Sequence, residues 1–133
     1  MEGELVFEGE FLKYKRWNGK GKAYYRGFVE FEGEYLNGKR NGKGKEYNYY
    51  DGNILFEGEY LNNKRNGKGI EYDNNQTEIK IIYEGEYING KRNGKGKEYF
   101  RNGKLQFEGE FKNGKKWKGK SPCSFDIMDF KRI

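Results

Sequence analysis

The chain has 133 residues, enough for one domain, but only 33% are hydrophobic and 36% are charged, which excludes a single large aliphatic core. Twelve Tyr, ten Phe and two Trp against one Pro argue equally against disorder, because each ring buries a large area. The net charge of +6 is concentrated in 11–29 and 112–133, so no cationic stripe runs the full length and nucleic acid is disfavoured as a partner.

In chain order, one element recurs. Residues 1–6, MEGELV, align with the end of a repeat and read as a partial copy. From Phe7, Phe31, Phe56, Tyr83 and Phe107 the chain then reads FEGEF, FEGEY, FEGEY, YEGEY and FEGEF. The units run about 7–30, 31–55, 56–82, 83–106 and 107–120, with a distinct tail over 121–133. Alternation places Phe31, Gly33 and Tyr35 on one face of a strand and Glu32 and Glu34 on the other. Asn37-Gly38 and Asn41-Gly42 bracket a turn, since both residue types tolerate positive φ. The return strand then reads Gly42 to Tyr47, with Lys43 and Lys45 on one face, where they can oppose Glu32 and Glu34 across the pair. The same positions recur at Phe56, Gly58, Tyr60, Gly67, Gly69 and Tyr72, and at Tyr83, Gly85, Tyr87, Gly94, Gly96 and Tyr99. Glycine weakens a strand unless something needs its bare backbone. Here rings on the same face are expected to lie flat over Gly33 and over the Gly42 and Gly44 pair.

A lone hairpin is marginal in water, but hairpins in series cover one another. The expected fold is therefore all-β: an elongated, twisted, antiparallel sheet of tandem hairpins, roughly 50 Å long at ~4.8 Å per strand. The tail breaks the pattern. Ile127, Phe130 and Ile133 follow i, i+3 spacing after Ser124, which predicts a short capped helix. It serves either as a C-terminal cap or as a partner-docking segment carried by Phe125, Ile127, Met128 and Phe130.

The aromatic-x-Gly-x-aromatic-x-x-Gly-x-x-x-Gly-x-Gly pattern, seen at Phe31, Gly33, Tyr35, Gly38, Gly42 and Gly44 and again from Tyr83 to Gly96, resembles the MORN repeat. The resemblance covers nearly all of 1–120. It implies a hairpin rod that scaffolds other proteins in assemblies, cytoskeleton or cilia, and phosphoinositide binding in some members. Units of 24–27 residues also resemble bacterial MORN-like proteins, which implies an antitoxin-like or regulatory binding module. Asn63 departs from the pattern by replacing a turn glycine, and the end units carry Trp17 and Trp117, as capping units would.

No chemistry rises above the repeat. The Glu pairs recur in every unit, whereas an active site is singular, so they read as solvated cross-strand partners. There is no His to activate a nucleophile, and Cys123 stands alone, so neither enzyme nor metal nor cofactor is expected. The Gly-Lys-Gly-Lys segments lack the strand–helix setting of a phosphate loop. The acidic, alternating N-terminus is unlike a signal peptide, and no apolar run approaches the ~18 residues of a membrane span. A cytoplasmic, cytoskeletal or ciliary setting follows as the expectation. Partners are expected to be proteins, met through an uncovered part of the aromatic ladder and the terminal segments, with self-association through the sheet ends. The alternative partner is an acidic membrane. It would meet the turn cations Lys39, Arg40, Lys64, Arg65, Lys91, Arg92, Lys115 and Lys116, lined along one edge.

Overall fold

A computed structural model describes residues 4–11, 17–73, 78–121 and 127–129. The described residues form one open antiparallel sheet whose spatial order is the chain order. Its strands are β1 (Glu4–Phe11), β2 (Trp17–Tyr25), β3 (Phe28–Leu36), β4 (Lys39–Tyr47), β5 (Ile54–Leu61) and β6 (Lys64–Asp73). They continue as β7 (Lys80–Ile88), β8 (Lys91–Tyr99), β9 (Leu105–Lys112), β10 (Lys115–Lys120) and β11 (Ile127–Asp129).

The tight turns are two residues long. Asn37-Gly38, Asn89-Gly90 and Asn113-Gly114 each place both residues at positive φ, between 51° and 86°. That is the mirror-image turn whose twist matches the flanking strands. Arg26-Gly27 makes the same turn between β2 and β3, a hairpin the unit boundaries in sequence had concealed. At the departure in the third unit, Asn62 and Asn63 lie at φ 49° and 73°, and the Asn63 amide oxygen accepts from the Arg40 N–H at 2.9 Å. A glycine there could not make that bond.

Asn41-Gly42 is not part of the turn, which corrects the sequence expectation. The return strand starts at Lys39, and the register jumps from Gly33↔Gly44 to Tyr35↔Arg40. One residue, Glu34, therefore faces three, Asn41, Gly42 and Lys43. This bulge recurs at Gly58/Tyr60 and Gly85/Tyr87. The Glu34 carboxylate folds over it and accepts the Lys43 N–H at 3.2 Å; Glu59 and Glu86 do the same for Lys68 and Lys95. A Cβ on Gly42, at φ 102°, would lie 2.1 Å from the Glu34 carboxylate oxygen. So Gly42, Gly67 and Gly94 serve the bulge, and Lys43 opposes Glu59 of the next hairpin, not Glu34.

The remaining strand glycines form one ladder. Gly21, Gly33, Gly44, Gly58, Gly69, Gly85, Gly96, Gly109 and Gly119 are neighbours in register from β2 to β10. A Cβ on Gly44 would lie 2.5 Å from the Phe31 ring, and one on Gly58 would lie 2.6 Å from the Gly69 Cα. Rings lie on this bare backbone at Gly33 and Gly44, as the sequence suggested, but not at Gly42, where the Glu34 carboxylate takes their place. Phe31, Tyr35, Phe56, Tyr60, Tyr83, Tyr87, Phe107 and Phe111 are all buried, between 0% and 6% exposed. They run as an unbroken zigzag of edge-to-face contacts with centroids 5.0–5.8 Å apart, each worth about 0.5–1.5 kcal/mol beyond its area. The hairpins therefore share a core without a second layer of structure.

The tail is a second correction. Ile127 to Met128 and Asp129 form a strand against Lys118–Lys120 of β10, not a turn of helix. Sheet pairing satisfies backbone groups that i, i+3 apolar spacing alone cannot. Phe125, Phe130 and Ile133 lie outside the described residues, as do Cys123, Ser124 and residues 12–16 of the first unit.

Candidate binding trough

The bulge decides which cations reach the solvent. Because Arg40 opposes Tyr35, its side chain turns onto the aromatic face, with its guanidinium 4.0 Å from the Phe31 ring centre. Arg65 over Phe56 (4.0 Å), Arg92 over Tyr83 (4.2 Å) and Lys116 over Phe107 (5.2 Å) repeat the arrangement. Arg65 also forms a two-pronged ion pair with Glu46 of the preceding hairpin at 2.9 and 3.0 Å, and the Tyr60 hydroxyl donates to the same carboxylate. Arg92, Glu71 and Tyr87 repeat this one unit on. Burial pushes the Glu46 and Glu71 carboxyls up, but their guanidinium and tyrosine partners outweigh it, and both sit below the usual carboxylate range. Burial first, then the same carboxylates, push the Tyr60 and Tyr87 hydroxyls well above the tyrosine range.

Two ends break the triad. Ala23 stands where Glu46 would, so Arg40 has no such carboxylate beneath it. Phe111 stands where Tyr87 would, and Glu98 instead takes Arg92 at 2.6 Å and Lys116 at 3.1 Å. Of the eight turn cations, Lys39, Lys64, Lys91 and Lys115 stay exposed on the edge, while Arg40, Arg65, Arg92 and Lys116 are half-buried against the rings. Sequence reasoning missed this inter-unit clamp. Its only trace was the constant Glu before Tyr47, Tyr72 and Tyr99, to which the sequence analysis assigned no role.

The expectation of an uncovered aromatic ladder is thereby corrected: the rings form the interior and guanidinium groups lie over them. The opposite face is the open one. Across it runs a row in register, Lys22, Glu32, Lys45, Glu57, Ile70, Glu84, Lys97, Glu108 and Lys120. A parallel row contains the Lys43–Glu59, Lys68–Glu86 and Lys95–Glu110 pairs. Between the rows lies the glycine ladder, so the backbone itself forms the floor. Two hollows of about 800 and 930 Å³ lie along this face and share Lys68, Gly69 and Ile70. They make one trough across β2 to β10. Beside the first row stand Tyr47, Tyr72 and Tyr99, whose hydroxyls donate to Glu32 at 2.5 Å, Glu57 at 3.2 Å and Glu84 at 2.5 Å. Burial and then the Glu84 carboxylate push the Tyr99 hydroxyl up to about 12.

The charges in the trough alternate, so it has no net sign to concentrate one class of ion. Carboxylates recur identically, with no nucleophile and base set apart among the described residues. The same residues hold no cluster of His, Cys, Asp or Glu suited to a metal, and no helix long and apolar enough to cross a membrane. What the surface offers is shape, backbone and a checkerboard of charge.

An open single-layer sheet of hairpins, with a shared aromatic interior and a patterned outer face, defines a β-hairpin repeat protein. The family model of the MORN repeat matches four tandem segments, 31–53, 56–78, 83–104 and 107–117. The chain belongs to the MORN-repeat family. Its repeats are in general associated with protein or membrane-lipid binding, and the family is in general non-enzymatic. No curated protein matched the chain.

Proposed function

We propose that this chain is a non-catalytic protein-binding module, a scaffold or assembly subunit that seats a partner polypeptide along the trough. The observation that carries this reading is the division of labour between the faces. The aromatic side is consumed by the fold, while the trough presents a continuous floor from β2 to β10 edged by alternating lysine and glutamate. Such a surface costs little to leave solvated, so the free protein is stable. It discriminates partners by matching charge pattern, which favours specificity over raw affinity. A photo-crosslinking residue placed at Lys45, Ile70 or Lys97 should capture a discrete protein from native extract. Reversing the pattern with Lys45→Glu and Lys97→Glu should abolish the capture. Capture that survives the reversal, or none from any of the three sites, overturns the reading.

A membrane-adaptor reading is supported by one observation, the exposed edge lysines Lys39, Lys64, Lys91 and Lys115. Each would gain up to ~1 kcal/mol near an acidic bilayer. Co-sedimentation with phosphatidylserine vesicles should then fall with salt and vanish when the four become Glu. Sedimentation unaltered by that change removes this reading.

A further inference from the structure

Three hairpin tips carry a pair that the aromatic core does not use. Leu36, Leu61 and Ile88 end β3, β5 and β7, and each faces a lysine across the turn, Lys39, Lys64 and Lys91. The three aliphatics are 48%, 49% and 51% exposed. Alternation from Tyr35, Tyr60 and Tyr87 puts them on the trough side, so they form its rim. Among the described residues none of the three lysines joins an ion pair. The acids two residues before the aliphatics, Glu34, Glu59 and Glu86, are turned back over the bulges to bond backbone amides. The stripe stops at the fourth tip, where Lys112 takes the aliphatic's place with its ammonium 4.5 Å from the Trp117 ring.

The tips are fixed relative to one another. The Asn63 N–H donates to the Arg40 carbonyl at 3.0 Å and the Gly90 N–H to the Arg65 carbonyl at 2.8 Å. The Asn66 amide oxygen accepts the Asn89 N–H at 3.2 Å. The rim is thus a row of aliphatic–cation pairs held at a set interval. Two strands separate successive tips, about 9.6 Å along the sheet, and the twist lengthens this for tips that lie off the axis.

We propose that this rim docks an acidic amphipathic helix of a partner protein, with apolar residues at i, i+7 and i+14 on the three aliphatics and acidic residues beside them on the three lysines. Seven helical residues advance about 10.5 Å, which fits the lengthened interval. Three residues of an extended strand advance about 10 Å but point to opposite faces. Three residues of polyproline helix advance about 9.3 Å and fall short. The inference rests on the protein-binding reading and adds the class of partner and a second line of contact.

The test is fluorescence anisotropy of the full chain with a synthetic helix about three heptads long. The peptide carries one leucine per heptad, glutamates flanking each leucine, and alanine elsewhere. Saturable binding is expected. It should weaken at least about tenfold with Leu36→Gln, Leu61→Gln and Ile88→Gln combined, in protein whose circular dichroism matches the parent. Combining Lys39→Glu, Lys64→Glu and Lys91→Glu should weaken it likewise. The trough variant Lys45→Glu, Lys97→Glu should bind the peptide normally, which keeps failure of the rim distinct from failure of the trough. Equal binding of a peptide with its leucines scrambled, or of a proline-rich peptide of matched charge, refutes the proposal. So does absence of peptide binding, and so does rim-dependent binding to phosphatidylserine vesicles in its place.

Discussion

Replacing Gly58 by alanine separates the steric account from ordinary strand chemistry by the sign of the effect. In a strand interior, glycine to alanine normally stabilises by about 0.5–1 kcal/mol, because the unfolded chain loses freedom. At Gly58 the new Cβ would lie 2.5 Å from the Lys68 carbonyl oxygen, 2.6 Å from the Gly69 Cα and 2.8 Å from the Phe56 ring. The first two are backbone of the hydrogen-bonded neighbour strand, so they yield only if β5 and β6 part. The third is a ring with no exposed surface, and displacing it opens the shared interior. Overpacking alone costs about 1–3 kcal/mol, and a displaced aromatic adds to it, so a loss of about 3–4 kcal/mol is expected. For a chain of 133 residues that lowers the melting temperature by roughly 10 °C. Gly103→Ala is the control. Its φ is 88° and nothing lies within 4 Å, so only the ~1 kcal/mol of a left-handed alanine is lost. Thermal and urea unfolding followed by circular dichroism read both. Gly58→Ala as stable as the parent, or more so, refutes the idea that rings and strands need bare backbone there.

The bulge makes a related prediction. Gly67→Ala, at φ 106° with the Glu59 carboxylate oxygen 2.1 Å from the new Cβ, should destabilise by about 1–3 kcal/mol, and Glu59→Ala should relieve part of it in a double-mutant cycle. Ala23→Glu places a carboxylate at the position that Glu46 occupies one unit on. It should stabilise by about 1 kcal/mol, against the usual cost of placing a charge at a buried position, and urea unfolding decides the sign. Glu46 and Glu71 have folded values below their unfolded ones, so their contribution is present above the usual carboxylate value near ~4.3 and fades as pH falls through the folded value. Glu71→Gln should therefore flatten the loss of stability on acidification, measured as urea midpoints over that range.

The architecture was legible because its cause is periodic. Phe31 and Tyr35 with Gly33 between them state which face is buried and why it must be thin, and the copies repeat that statement. What escaped was set by register. Two extra residues at Asn41–Gly42 look like turn residues in sequence because positive φ serves turns and bulges alike. Only the pairing shows that they carry Arg40 onto the Phe31 ring. From that one shift follow the burial of the arginines, the place of Glu46 among the aromatics and the closure of the face that sequence alone offered to partners. Leu36, Leu61 and Ile88 were visible as apolar letters, but nothing in the string said that they stay half in water. The tail misled because i, i+3 spacing over a few residues does not distinguish a helix from a short strand that finishes an open sheet edge.

Small-angle X-ray scattering tests the central physical claim, that the hairpins share one aromatic interior without a second layer. Eleven strands at ~4.8 Å, the first nine about 30 Å long, give a ribbon with a radius of gyration near 18 Å. A compact domain of this length would give about 14 Å. A value near the first, with an elongated distance distribution, is the expected result; a value near the second contradicts the account.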